Sequence, residues 1–144
     1  REAGCVNFID KALANEEVAD RPAYTKGLRG VDAAAKAQHT KPFAELDPAR
    51  QDTLLVALED GNAEGWPTGA GDSALFFETV RIHTLLGFLS DPTYGGNRDF
   101  VGWKLIDYPG PQHPRGGYTP GQLLGKVPIR AVWGETTRDH LRRH

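Results

Sequence analysis

One segment of the chain is apolar on nearly every side of a helix. Residues 73–90, SALFFETVRIHTLLGFLS, follow Asp72, a good N-cap residue, and their large side chains are spread around the helical axis. A helix that is apolar all round is normally buried inside a protein. We therefore expect residues 73–90 to form a central buried helix against which the other helices pack.

Three further segments have helical patterns. Residues 2–14 place apolar side chains at helical spacing, and residues 24–38 are rich in alanine. A third helix follows Asp47, with Pro48 at its first position, and ends at Gly61. The sequence thus predicts a mainly α fold, a small helical domain around the helix at 73–90.

The pattern changes after Asp91. Six prolines and recurring glycines interrupt residues 91–144, and neither helical nor strand periodicity continues there. An irregular segment of this length rarely satisfies its own backbone polar groups, so it usually has a function or lies on another surface. We expect a single domain over residues 1–144, with a helical part at 1–90 and an irregular, partner-wrapping segment at 91–144.

Charge and cysteine content exclude several classes of function. The formal net charge is −2 and Cys5 is the single cysteine, which argues against nucleic-acid binding, disulfides, cysteine zinc clusters and c-type haem attachment. No apolar run reaches the roughly 18 residues of a membrane helix, so direct membrane insertion is not expected. The chain begins at Arg1 and has no methionine, which predicts that a leader or an N-terminal segment precedes it.

Short motifs give no catalytic residue and no metal site. The run GAGDSA, residues 69–74, matches a dinucleotide-binding fingerprint but lacks a preceding strand, so we interpret it as a loop and helix cap. His83 is interpreted as a buried structural histidine. His140 and His144 are four residues apart, a spacing that can chelate a metal on a helix, but the terminal run RRH is typical of a solvated chain end, and no metal site is predicted there. We expect this chain to bind no cofactor of its own.

The run YGGNRDFVGW, residues 94–103, carries the residue types of an interaction surface. Adjacent glycines permit positive φ angles, and exposed Trp, Tyr and Arg are enriched at interface hot spots. The alternative, left open, is a loop folded onto its own domain with Trp103 as a core plug. The residues predicted to bind a partner are Tyr94, Gly95, Gly96, Asn97, Arg98, Asp99, Trp103, Lys104 and Tyr108.

Residues 76–111 resemble the gluconate 2-dehydrogenase subunit 3 family, whose signature reads TVR.HT..G.F.DP.YGGNRD..GWK.IG.PG. The matching residues are Thr79, Val80, Arg81, His83, Thr84, Gly87, Asp91, Pro92, Tyr94 to Asp99, Gly102, Trp103, Lys104, Ile106, Pro109 and Gly110, and Phe88 lies one position before the phenylalanine of the signature. A looser likeness extends over residues 8–10 and 43–55. Leu85 and Leu86 depart from the pattern, because many members have an acidic residue there, and Asp107 stands where many have glycine.

The resemblance implies an accessory subunit and not an enzyme. Family members pair with a large flavoprotein of the glucose–methanol–choline oxidoreductase type, which holds FAD and oxidises a sugar or glycoside, and some complexes include a cytochrome c. The small subunit often bears a twin-arginine signal and helps to export the flavoprotein, which implies a periplasmic complex and a signal upstream of Arg1. Two alternatives stay open: residues 91–111 contribute to the partner's substrate site, or the chain is a stand-alone binding module.

Overall fold

The computed structural model describes residues 2–111 and 117–132, and in these ranges the fold is mainly α, as predicted. No strand is formed within them. The helices are α1 Cys5–Ala14, α2 Arg21–His39, α3 Pro48–Glu59, α4 Ser73–Leu89, α5 Val101–Leu105 and α6 Pro120–Leu123. In the described part of the chain, none of them has both the length and the apolar content needed to cross a bilayer. His140 and His144 lie outside the described residues.

Side-chain caps fix the start of the two helices that the sequence predicts best. Asp47 accepts a hydrogen bond from the amide of Arg50 over 3.0 Å at the start of α3. Asp72 accepts one from the amide of Leu75 over 2.9 Å at the start of α4. Each bond satisfies an amide that has no partner within its own helix. The run GAGDSA is therefore a 3-10 turn and a helix cap, as interpreted from the sequence.

The chain divides into two compact units. The first, Leu13–Ile82, has a core built around two fully buried alanines of α2, Ala34 and Ala35. Their short side chains allow close packing of larger neighbours. The other buried members of this core are Val31, Leu46, Leu54, Leu58 and Ala63.

The second unit joins Arg1–Ala12 to His83–His144. Its core consists of Phe100, Trp103 and Ala131, with Tyr108 and Ile129 packed against them. The segment after Asp91 is less irregular than the sequence suggests, because it forms 3-10 turns at Pro92–Tyr94 and Arg98–Phe100 before α5. Whether the whole chain behaves as one domain stays a prediction.

Helix α4 is present at the expected position, but it is not buried on every side. His83 and Gly87 are buried, as expected for His83, whereas five apolar residues of the helix are 40–67% exposed and its other apolar residues are half-buried. Apolar composition predicts burial but does not say which faces of a helix have a packing partner within the same chain. The exposed apolar residues of α4 are Leu75, Ile82, Leu85, Leu86 and Leu89.

Candidate partner interface

The run at residues 94–103, hereafter the signature loop, caps the C-terminus of α4. The last carbonyls of a helix have no partner within it. Here Asn97 donates its backbone N–H to the carbonyl of Gly87 over 2.7 Å and its side-chain N–H to that of Ser90 over 2.9 Å. The indole N–H of Trp103 donates to the carbonyl of Leu89 over 2.6 Å. Three otherwise unpaired carbonyls are thereby satisfied by the loop.

Asn97 also holds the loop in its own conformation. The side chain is completely buried, and its Oδ1 accepts the amide of Gly102 over 2.8 Å. Asn97, Asp99 and Phe100 have φ angles of 45°, 54° and 59°, which are left-handed values that ordinary residues rarely adopt. Such a cluster persists only where the surrounding contacts determine the backbone, and strained clusters of this kind occur at functional sites.

Gly96 and Gly102 allow the loop to approach the helix backbone directly. A Cβ atom on Gly96 would overlap the carbonyl oxygen of Gly87, and one on Gly102 would overlap that of Phe88. No side chain fits at either position without moving a helix backbone. The two glycines therefore serve close packing of loop on helix.

Trp103 is a core residue of this chain, 5% exposed. Its ring stacks on Phe100 at a centroid distance of 5.5 Å and meets Tyr108 edge to face at 4.9 Å. Burial raises the pKa of Tyr108, and a hydrogen bond with Tyr118 adds to the effect. These contacts favour the interpretation of Trp103 as a plug beneath its own loop.

The remaining predicted partner-binding residues have mixed exposure. Tyr94 is 62% exposed, and Asp99 and Lys104 also face solvent, whereas Gly95 is half-buried. Arg98 is half-buried too: its amide donates to the carbonyl of Ala3 over 2.9 Å. Their role in binding a partner stays a prediction.

Asp91 ties the end of α4 to the C-terminal segment. Its Oδ1 accepts the amide and the hydroxyl of Thr93 over 2.9 and 2.7 Å, and its Oδ2 accepts the amide of Val132 over 2.7 Å. Asp91 therefore caps the turn that follows α4. The bond to Val132, 41 residues later, was not foreseeable from sequence spacing.

Leu85, Leu86 and Leu89, hereafter the leucine face, form an apolar surface on the last two turns of α4. Their residues are 46%, 48% and 40% exposed. Leu89 follows Leu86 by three residues and Leu85 by four, the spacings at which side chains are neighbours on a helix surface, so Leu89 adjoins both. From the sequence, the three leucines were predicted to lie on a buried helix. The spacing of His83 and Gly87, on the opposite side of α4, was the one sequence signal that the side carrying the leucines is exposed.

A cleft of about 630 Å³ lies beside the signature loop, between α5 and the segment containing α6. Trp103, Lys104, Asp107 and Tyr108 line one side of it.

Within residues 2–111 and 117–132, no three His, Cys, Asp or Glu side chains are grouped closely enough to hold a metal ion.

The family model for gluconate 2-dehydrogenase subunit 3 matches residues 1–110, a range that contains α1 to α5 and the whole signature loop. No curated protein and no solved structure matches the chain. The name of the family designates a subunit of a dehydrogenase complex. The family model covers 110 of 144 residues, and this chain therefore belongs to the gluconate 2-dehydrogenase subunit 3 family.

Proposed function

We propose that this chain is the non-catalytic small subunit of an FAD-dependent carbohydrate dehydrogenase complex. The partner is a large flavoprotein of the glucose–methanol–choline oxidoreductase type, which holds FAD and oxidises a sugar or glycoside. A cytochrome c is a further candidate member of the complex, as electron acceptor. Membership of a family of dehydrogenase subunits supports the assembly.

The observation that carries the non-catalytic role is the way the signature loop is used. Its most specific polar groups, the Asn97 amide and the Trp103 indole, bind backbone groups of their own chain. Gly96 and Gly102 serve the same packing. Groups occupied in this way hold a helix end in place and are not available to a substrate, which favours a structural subunit over a catalytic one.

The role of the subunit in the complex is to stabilise the flavoprotein and to accompany it to the periplasm. An N-terminal twin-arginine signal upstream of Arg1 would direct the folded pair through the membrane. The likeness of residues 76–111 to exported small subunits supports this part of the proposal.

Co-expression with the oxidoreductase encoded beside this chain tests the proposal. A tagged chain should recover a yellow flavoprotein at equal stoichiometry, and the flavoprotein alone should give a lower soluble yield and less periplasmic dehydrogenase activity. The free chain should be colourless. A stoichiometric flavin or haem spectrum on the free chain, or sugar oxidation by the free chain, would overturn the assignment.

A further inference from the structure

We propose that a cavity beside Tyr24 binds a cationic side chain, an arginine presented by a partner protein. The cavity has a volume of about 290 Å³, and all the residues that line it belong to the unit Leu13–Ile82. The inference goes beyond the proposed function, because it gives this unit a binding site of its own that does not use the signature loop. The lining residues on which it depends are Asp20, Tyr24, Asp72, Leu75 and Phe76.

The wall of the Tyr24 cavity contains a fixed aromatic pair. Tyr24 is 7% exposed, and its ring meets that of Phe76 edge to face at a centroid distance of 6.1 Å. Phe76 also packs against Trp66, with the ring centroids 5.9 Å apart. Rings held by neighbours on this scale do not have to rearrange before a ligand binds, which lowers the entropy lost on binding. The wall therefore offers a preformed apolar surface to the stem of a ligand.

The charged residues of the cavity lining are both acidic. They are Asp20 and Asp72, both exposed, and among the described residues that form the lining none is Lys, Arg or His. Each of them precedes a helix, α2 and α4 respectively, whose N-terminal end carries a partial positive charge that offsets part of the carboxylate charge. The sign of the remaining field is given by Tyr24.

The field at the phenol of Tyr24 is negative. Burial raises the pKa of this phenol to about 12, and the negative charges of Glu17 and Asp20 add to the shift. A nearby negative charge opposes formation of a phenolate and in the same way opposes binding of an anion, whereas it attracts a cation. Charge complementarity therefore selects a cationic ligand for the Tyr24 cavity.

An arginine side chain fits the apolar wall and the acidic residues together. Its planar guanidinium stacks on aromatic rings, pairs with carboxylates and is more weakly hydrated than the ammonium group of lysine. A volume of about 290 Å³ lies at the small end of the range for ligand pockets and suits one side chain better than a larger cofactor. The expected occupant is thus a single arginine of a partner protein.

The test titrates the full chain with N-acetyl-arginine methylamide, a blocked single arginine, and follows the NMR signals of the protein. Saturable shifts are expected at Tyr24 and Phe76, with nuclear Overhauser contacts between the ring of Tyr24 and the δ-methylene group of the ligand. N-acetyl-leucine methylamide has an apolar stem and no charge, and it should bind roughly 10-fold more weakly. Added salt should weaken binding of the arginine ligand and leave that of the leucine ligand unchanged.

Substitutions of the two acidic residues test the source of the affinity. The double change Asp20→Asn with Asp72→Asn removes both charges and keeps a residue type that caps helices well. It should raise the Kd of the arginine ligand roughly 10-fold, because two carboxylates are lost. Asp47→Asn is the matched control, since it makes the same change at the start of α3 and Asp47 does not line the cavity. Its Kd should equal that of the wild type.

Three results would overturn the inference. The first is the absence of saturable shifts at Tyr24 and Phe76 with the arginine ligand. The second is equal affinity for the arginine and leucine ligands, which would make the cavity an apolar pocket without preference for charge. The third is an unchanged Kd in the double asparagine variant. All three are measured on the free chain, so they are independent of whether the flavoprotein binds.

Discussion

The indole of Trp103 donates a hydrogen bond of 2.6 Å to the carbonyl of Leu89, so one residue joins the core of its unit to the end of α4. Its ring fills the space between Phe100 and Tyr108, and its N–H satisfies a carbonyl that the helix leaves unpaired. The stability of this unit and the position of the end of α4 therefore depend on a shared residue.

Substitution of Trp103 should separate the contribution of its ring from that of its N–H. Trp103→Ala removes both and should lower the free energy of unfolding by about 3–5 kcal/mol. Trp103→Phe retains much of the ring, leaves the Leu89 carbonyl unpaired, and should cost about 1–3 kcal/mol. Urea unfolding followed by far-UV circular dichroism measures both. Tyr94→Ala is the control at an exposed aromatic residue and should change the free energy of unfolding by about 0.5 kcal/mol or less. Equal effects of Trp103→Ala and Tyr94→Ala would contradict the role of Trp103 as a core residue.

Gly102→Ala should prevent the signature loop from closing on α4. The added methyl group would overlap the backbone oxygen of Phe88, which cannot move without breaking the end of the helix. We expect a loss of more than about 3 kcal/mol or failure to fold, seen as low soluble yield and a lowered Tm. Gly69→Ala is the matched control, since nothing lies within 4 Å of its added Cβ, and its Tm should stay close to that of the wild type. A normal Tm for Gly102→Ala would show that the loop does not pack as described.

The helices were predictable from local signals, and the signature loop was not. Asp47 and Asp72 each accept a hydrogen bond from the amide three residues later, so their capping role can be predicted from the local sequence. The left-handed backbone at Asp99 and Phe100 depends instead on packing against α4 and has no local sequence signal beyond the neighbouring glycines. The exposure of Leu86 could not be predicted either, because a sequence shows which residues are apolar but not which side of a helix packs within its own chain.

Tyr24 should make the subunit sensitive to alkaline pH. Burial raises the pKa of its phenol from 10.0 to about 12, and the negative charges of Glu17 and Asp20 add to the shift. Between these values the unfolded chain loses the proton while the folded chain retains it, so the stability present below pH 10 is lost as pH rises towards 12. Urea unfolding on both sides of pH 10 measures the loss, and Tyr24→Phe should reduce it. An identical pH dependence in Tyr24→Phe would contradict the contribution of this residue.

Asp91 should control the attachment of the C-terminal segment. Its Oδ2 is the acceptor for the Val132 amide over 2.7 Å, and the neighbouring Ala131 is 1% exposed. A hydrogen bond to a charged group contributes about 1.5–3 kcal/mol, so Asp91→Ala should speed hydrogen exchange of the Val132 amide by roughly 10-fold or more. Asp107→Asn is the control: it removes one negative charge at an exposed site and keeps a residue type that tolerates its φ of 53°. We expect exchange at Val132 to be unchanged in Asp107→Asn, and fast exchange in the wild type itself would show that the bond to Asp91 does not hold the segment in solution.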